Sequence, residues 1–220
     1  MWIWPDRSPS MNFVSSLARD TKLYRTLVIA LALAEVLVEG GERVGIPALM
    51  RPTGSRNVVE RAAQAIVVDR NERPSLPPNF APSPLAEVVL LSDLWSEIGE
   101  VKRTITQLSG GGSQGHVVQI VDPAEETFPY GGRVEFVEPE DGARITAGRA
   151  ENWRADYASE LARHRAAIRN ETDRLGWSFT IHRTDRPATE LLLALHARIG
   201  AGAERDLARP HALGKSRVPV

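Results

Sequence analysis

The sequence predicts an α/β protein: a doubly wound, mostly parallel sheet with helices on both faces, plus a small β-hairpin insertion. Three observations carry this prediction. Short apolar runs without interior alternation suit strands buried on both faces, segments of helical apolar period alternate with them, and several of the runs end on an Asp. The resulting order is strand-helix-strand-helix-strand-helix-strand-hairpin-helix-strand-helix.

Met1 to Pro5 is a short apolar segment with two Trp that runs straight into DRSPSM, as a buried strand runs into a loop. Leu17 to Glu39 is apolar nearly all round its central turns, which predicts an interior helix stopped by Gly40-Gly41. Glu42 to Met50 places Val44, Ile46 and Ala48 on alternate positions and reads as one strand, which Pro47 marks as an edge or as ending early. The turn RPTGS follows, then a helix over Asn57 to Val68 that Ser55 or Thr53 would cap. Asn71 to Pro84 holds five of the fifteen prolines and must be an extended connection. Leu85 to Leu91 is a buried strand that delivers Asp93 at its tip, and Glu97 to Leu108 a helix closed by three glycines.

His116 to Val121 is the next strand, ending on Asp122. Arg133 to Val137 and Ala143 to Thr146 flank Glu140-Asp141-Gly142 as a hairpin. Arg154 to Leu175 reads as a charged amphipathic helix whose solvated face carries i,i+4 pairs, Trp177 to His182 as a strand, and Ala188 to Ile199 as a closing helix. One domain over residues 1 to 199 is expected, with a flexible basic tail over residues 200 to 220.

Composition narrows the function. The chain has 220 residues, 42% of them apolar, and 27 basic against 28 acidic side chains, a balance that gives no global attraction for nucleic acid or anionic lipid. With no Cys there is no disulfide, thiolate nucleophile or thiolate metal site, and the five His are too dispersed for a zinc motif. The run from Thr26 to Val38 has thirteen residues broken by Glu35, short of the ~20 needed to span a bilayer. MWIWPDRSPS is unlike a secretory signal, so a cytoplasmic location is expected.

In a doubly wound sheet, functional groups collect at the C-terminal ends of the strands. The loop after Pro5 offers Asp6, Ser8 and Ser10, a D-x-S-x-S sequence whose alternate side chains converge on one point where the backbone arches over the strand tip. The loop after Met50 offers Thr53 and Ser55, and the one after Leu91 offers Asp93. Hydroxyls and carboxylates without imidazole or thiolate form the donor set of a hard divalent cation such as Mg²⁺. The plainer roles are turn or helix caps for Ser10 and Thr53, a turn opened by Asp122 before Pro123, core packing for Trp95, Trp153 and Trp177, and a buried structural role for His182.

DRSPS closing an apolar strand, a Thr in a turn before a helix, and VVLLSD ending a later strand resemble the metal-ion-dependent adhesion site of von Willebrand factor A domains. More narrowly, WIWPDRSPSM, GGERVG, IVDPAEETFPYGGRVEFVEPEDG and GWSFTIHRTDRP resemble the bacterial proteins called domain of unknown function 58, over roughly residues 1 to 199. The resemblance implies that Ser8 and Ser10 bind Mg²⁺ (or Mn²⁺) through their hydroxyls, that Asp6 and Asp93 act through coordinated waters, and that Thr53, or Ser55 in its place, is the fifth ligand. Two carboxylates held at water-mediated distance under-neutralise the ion, so the open corner would accept a partner's Glu or Asp. It further implies a MoxR-type AAA+ ATPase as partner and an adaptor role in the assembly or maturation of other complexes. Family members usually carry a segment before this domain, often membrane-spanning, so the resemblance implies an N-terminally short form of a longer protein and leaves open whether that longer protein is anchored to a membrane.

The expected function is therefore a non-enzymatic, metal-dependent protein-binding module. Its rival is a Mg²⁺-dependent hydrolase or phosphoryl-transfer enzyme, which the same oxygen ligands would suit but for which the sequence places no nucleophile or base.

Overall fold

The computed structural model describes residues 1–71 and 73–207, with side chains described through residue 199. Its main sheet has six strands in the order β3-β2-β1-β4-β5-β8, formed by Met50–Thr53, Val44–Ile46, Trp2–Pro5, Glu87–Ser92, Gln114–Val121 and Ser178–Arg183. All neighbours are parallel except the β2/β3 pair. A separate antiparallel hairpin pairs β6 (Val134–Val137) with β7 (Arg144–Ala147), as predicted.

The two faces of the sheet follow from the period of two along each strand. Ile3, Val89, Leu91, Val118 and Ile120 point to one face and pack under α1 (Lys22–Glu39), α2 (Val58–Val68) and α6 (Ala188–Leu207). Trp4, Val88, Leu90, Val117 and Phe179 point to the other, under α3 (Ile98–Ser109) and α5 (Arg154–Arg174). On that second face the indole of Trp177 lies across β5 where a Cβ at Gly115 would come within 2.0 Å of it, so only glycine fits there. The remaining helix, α4 (Pro123–Thr127), follows β5 directly. Asp122 caps it in a reciprocal capping box with Glu125.

Several expectations need correction. The segment expected as one strand over Glu42 to Met50 is two strands separated by a turn at Ile46-Pro47-Ala48-Leu49, closed by Leu49 N–H donating to the Ile46 carbonyl at 3.0 Å. Pro47 presets the first central position and Ala48 takes φ 61°, so the chain reverses and RPTGS enters antiparallel edge strand β3. Asn57 precedes α2, so neither Thr53 nor Ser55 caps it. Helix α1 starts at Lys22, after Thr21 caps it, rather than at Leu17. Trp177 is buried, but Trp95 and Trp153 are each 36% exposed and are not core residues. The ion pairs along α5 run i,i+3, Glu160 to Arg163 and Glu171 to Arg174. The last helix continues past Ile199 to Leu207; of the expected tail, residues 208–220 lie outside the described residues. Among the described residues no helix is long and apolar enough to cross a membrane.

From β1 the chain passes through α1 to β2 on one side, then returns through α2 to β4 on the other. The strand order reverses between β1 and β4, and a crevice opens beyond the carboxyl ends of strands at such a point. Asp6 and Asp93 stand there.

Candidate functional site at the tips of β1 and β4

Asp6 directly follows β1. Its backbone N–H extends the ladder to the Leu91 carbonyl of β4 at 2.8 Å, which fixes the side chain at the strand tip. One carboxylate oxygen accepts from Ser8 N–H at 2.8 Å and the other from the Ser92 hydroxyl at 2.6 Å. The next residues form a single 3₁₀ turn, Pro9–Asn12, that brings the Ser10 hydroxyl to 3.2 Å from that of Ser8. Asp93, one residue beyond β4, stands beside Asp6. A left-handed Leu94 (φ 59°) turns the chain sharply after it. Four of the five expected ligands, Asp6, Ser8, Ser10 and Asp93, are therefore brought to one rim, and all are buried.

Thr53 is not there. Its strand runs opposite to the others, and its partner in the ladder is Val44, one residue before the Gly45 that pairs with Trp2. Thr53 thus lies level with the start of β1, on the order of 15 Å down the sheet from Asp6 at about 3.3 Å per residue. Ser55 follows it on that same rim, donating its backbone N–H to the Thr53 hydroxyl and its own hydroxyl to Asn57.

The residue that the sequence reading missed is Lys22. Although only 1% exposed, its ammonium donates to Asp93 at 2.8 Å and to Glu125 at 2.6 Å. Burial pulls its pKa down, but the two carboxylates outweigh that and hold it above the ordinary lysine value, so it stays charged. Glu125 is fixed from three further directions. It accepts from Asp122 N–H at 2.8 Å and from the Trp95 indole at 3.3 Å, while its own carbonyl accepts from Tyr157. Asp122, expected to open a turn, instead caps helix α4, and it also accepts from the backbone and hydroxyl of Ser15, tying down the loop between β1 and α1. A lysine at a helix start gives no sequence signal of burial.

The electrostatics of Asp6 differ. Burial, with the charge of Asp93 adding to it, raises its carboxyl to about 7 against the hydrogen bonds from Ser92 and Ser8. All of its hydrogen-bond donors are neutral. His182, at the end of β8, is buried, and burial together with the charge of Arg25 lowers it to about 4, which makes it a neutral structural imidazole.

These observations test the rim as a metal site. Among the described residues, no three His, Asp or Glu side chains come together in a metal-holding arrangement. The Asp93 carboxylate is engaged by an ammonium, and the Thr53 hydroxyl is at the far rim. What remains is a buried carboxylate with no cationic partner among the described residues and two hydroxyls beside it, an all-oxygen set that fits a hard cation in kind.

The fold and this rim define an α/β domain with an acidic, hydroxyl-lined strand-tip site at its switch point. The family model described as "Protein of unknown function DUF58" matches residues 1–167, and the chain belongs to that family. Its fold is similar to that of conserved hypothetical protein BatB from Bacteroides thetaiotaomicron, at 14% identity over 92% of this chain and 98% of that one, with a TM-score of 0.52. An aerotolerance-related membrane protein from Bacteroides fragilis NCTC 9343, carrying multiple mutations to serines, aligns at 16% identity over 91% and 98%, with a TM-score of 0.47. No curated protein matches the chain.

Proposed function

We propose that the chain is a non-enzymatic protein-binding module that presents the rim around Asp6, Ser8 and Ser10 to a partner. The observation that carries this reading is the uncompensated Asp6 carboxylate backed by two hydroxyls at the switch-point crevice. Such a set suits a hard cation, and among the described residues the hydroxyls on it hydrogen-bond to one another and to Asp6, with no imidazole among their partners.

In its finer form the reading has Ser8 and Ser10 holding Mg²⁺ (or Mn²⁺), with Asp6 behind them. Bound there, the ion would supply an electrophilic corner for a partner's Glu or Asp. Asp93 has a different task in this reading, since it fixes Lys22. The family resemblance supports a MoxR-type AAA+ ATPase as the partner and an adaptor role for this chain.

The test is a pull-down of a purified MoxR-type ATPase by the wild-type chain and by Asp6→Ala/Ser8→Ala, with Mg²⁺ or with chelator, beside a phosphoester turnover assay. Capture by the wild type in Mg²⁺, lost on chelation and in the variant, with no turnover, is expected. Equal capture in every condition would remove the metal bridge. Mg²⁺-dependent turnover that vanishes in the variant would make the protein a hydrolase.

A further inference from the structure

Beside the rim, the first turn of α1, the Asp93 loop, α4 and the β6–β7 hairpin enclose a recess of about 230 Å³. Its walls are aromatic: Phe13, Trp95, Phe128, Tyr130, Phe136 and Tyr157. The rings are fixed against one another, Phe128 meeting Tyr157 at 4.8 Å and Tyr130 at 5.2 Å between centroids, and Phe136 stacking on Phe128 at 5.7 Å. Trp95 keeps over a third of its surface exposed at the mouth and stacks on His164 from outside. The volume is below the roughly 300 Å³ at which small-molecule sites begin, so it suits a single side chain better than a cofactor.

The charge of the recess is negative. Lys22 reaches its floor, but that ammonium is already shared between Glu125 in the recess and Asp93 behind it, and a further carboxylate, Glu138, stands at the mouth on the hairpin. Along the lining one positive charge thus faces two negative ones, with Asp93 drawing on the same ammonium from behind, and the ring faces of the aromatic walls add their own negative potential. An incoming carboxylate would meet repulsion from Glu125 and Glu138. An apolar stem ending in a planar cation would lie between the rings and approach both carboxylates.

We propose that this recess receives an arginine side chain of the protein partner. The guanidinium stacks on aromatic faces and is more weakly hydrated than an ammonium, so it loses less on entering such a site. The proposal rests on the reading of the adjoining rim as a contact surface and names the chemistry of that partner: a basic side chain held next to the rim.

The experiment titrates the metal-free chain, in chelator, with three capped pentapeptides, Ala-Ala-X-Ala-Ala, in which X is Arg, Glu or norleucine, while following the Trp95 indole N–H resonance, assigned with Trp95→Phe. The Arg peptide is expected to give a saturable shift, and the Glu and norleucine peptides to bind at least about tenfold more weakly. Glu138→Lys lies on the exposed hairpin and leaves the Lys22 pair intact, and it should weaken the Arg peptide several-fold. An Arg peptide that gives no shift, binds no better than the other two, or is indifferent to Glu138→Lys would overturn the proposal. Because neither metal nor ATPase is present, that failure leaves the pull-down unaffected, and a failed pull-down leaves this titration standing.

Discussion

The tips of β1 and β4 carry the same side chain at the same depth and treat it differently. Asp93 is 1% exposed and receives an ammonium from Lys22; Asp6 is fully buried, and its hydrogen bonds come from Ser8 and Ser92, both neutral. Sequence alone would pair them as equivalent ligands. One half of the rim is latched, with Lys22 joining the β4 tip to Glu125 on α4, while the carboxyl of the other half has no cationic partner among the described residues. Latching is structural, and the open half is where binding is to be sought.

Cutting the latch should have the largest effect. Lys22→Met removes the ammonium but keeps a similar length of side chain, leaving buried Asp93 and partly buried Glu125 without that cation. Removing one partner of a buried ion pair costs about 3–5 kcal/mol. Urea denaturation at pH 7.5 should show a loss of that order. A loss below about 1 kcal/mol, within the range of exposed pairs, would mean that the ammonium is not the cation that holds this half together.

The open half is sharpened by pH. In metal-free protein the Asp6 carboxyl is raised to about 7 from its ordinary 3.8. Its contribution to stability is therefore fully present below pH 3.8, where both folded and unfolded chains are protonated, and is lost as pH rises through 7. At about 1.36 kcal/mol per unit the loss has a ceiling near 4 kcal/mol, and relaxation of the site should bring it to about 2–3 kcal/mol. Asp6→Asn keeps the acceptor for Ser8 or Ser92 and has no charge to titrate. In chelator its stability should exceed the wild-type value at pH 8 by about that amount, with the two curves converging toward pH 4. Parallel curves across this range would mean that Asp6 is already compensated.

The parts of this arrangement that are legible in the sequence are those where neighbouring residues carry the information. The apolar runs that become β1, β4 and β5 each end on an Asp, and DRSPS folds back on itself within five residues, so Asp6, Ser8, Ser10 and Asp93 follow from local pattern plus the rule that sites collect at strand ends. Thr53 does not follow, because its position depends on the direction of a strand. One left-handed residue, Ala48, behind Pro47 reverses the chain and carries RPTGS to the other end of the sheet. Lys22 and Glu125 are 103 positions apart and meet only in space. Neither residue type nor spacing marks them, and in isolation a lysine at a helix start reads as solvated.

The smallest expected effect tests the other rim against this one. Thr53 accepts one backbone hydrogen bond, from Ser55, at the end of an edge strand, and is only half-buried. Thr53→Ala should therefore change stability by no more than about 0.5–1 kcal/mol, the net value of one partly exposed hydrogen bond. It should leave the heat of Mg²⁺ or Mn²⁺ titration unchanged. Ser10→Ala removes one hydroxyl at the tip of β1 and should weaken that heat if the open half binds the ion. A metal response in Thr53→Ala as large as in Ser10→Ala would require the two rims to act together, which the antiparallel register of β3 against β2 does not allow.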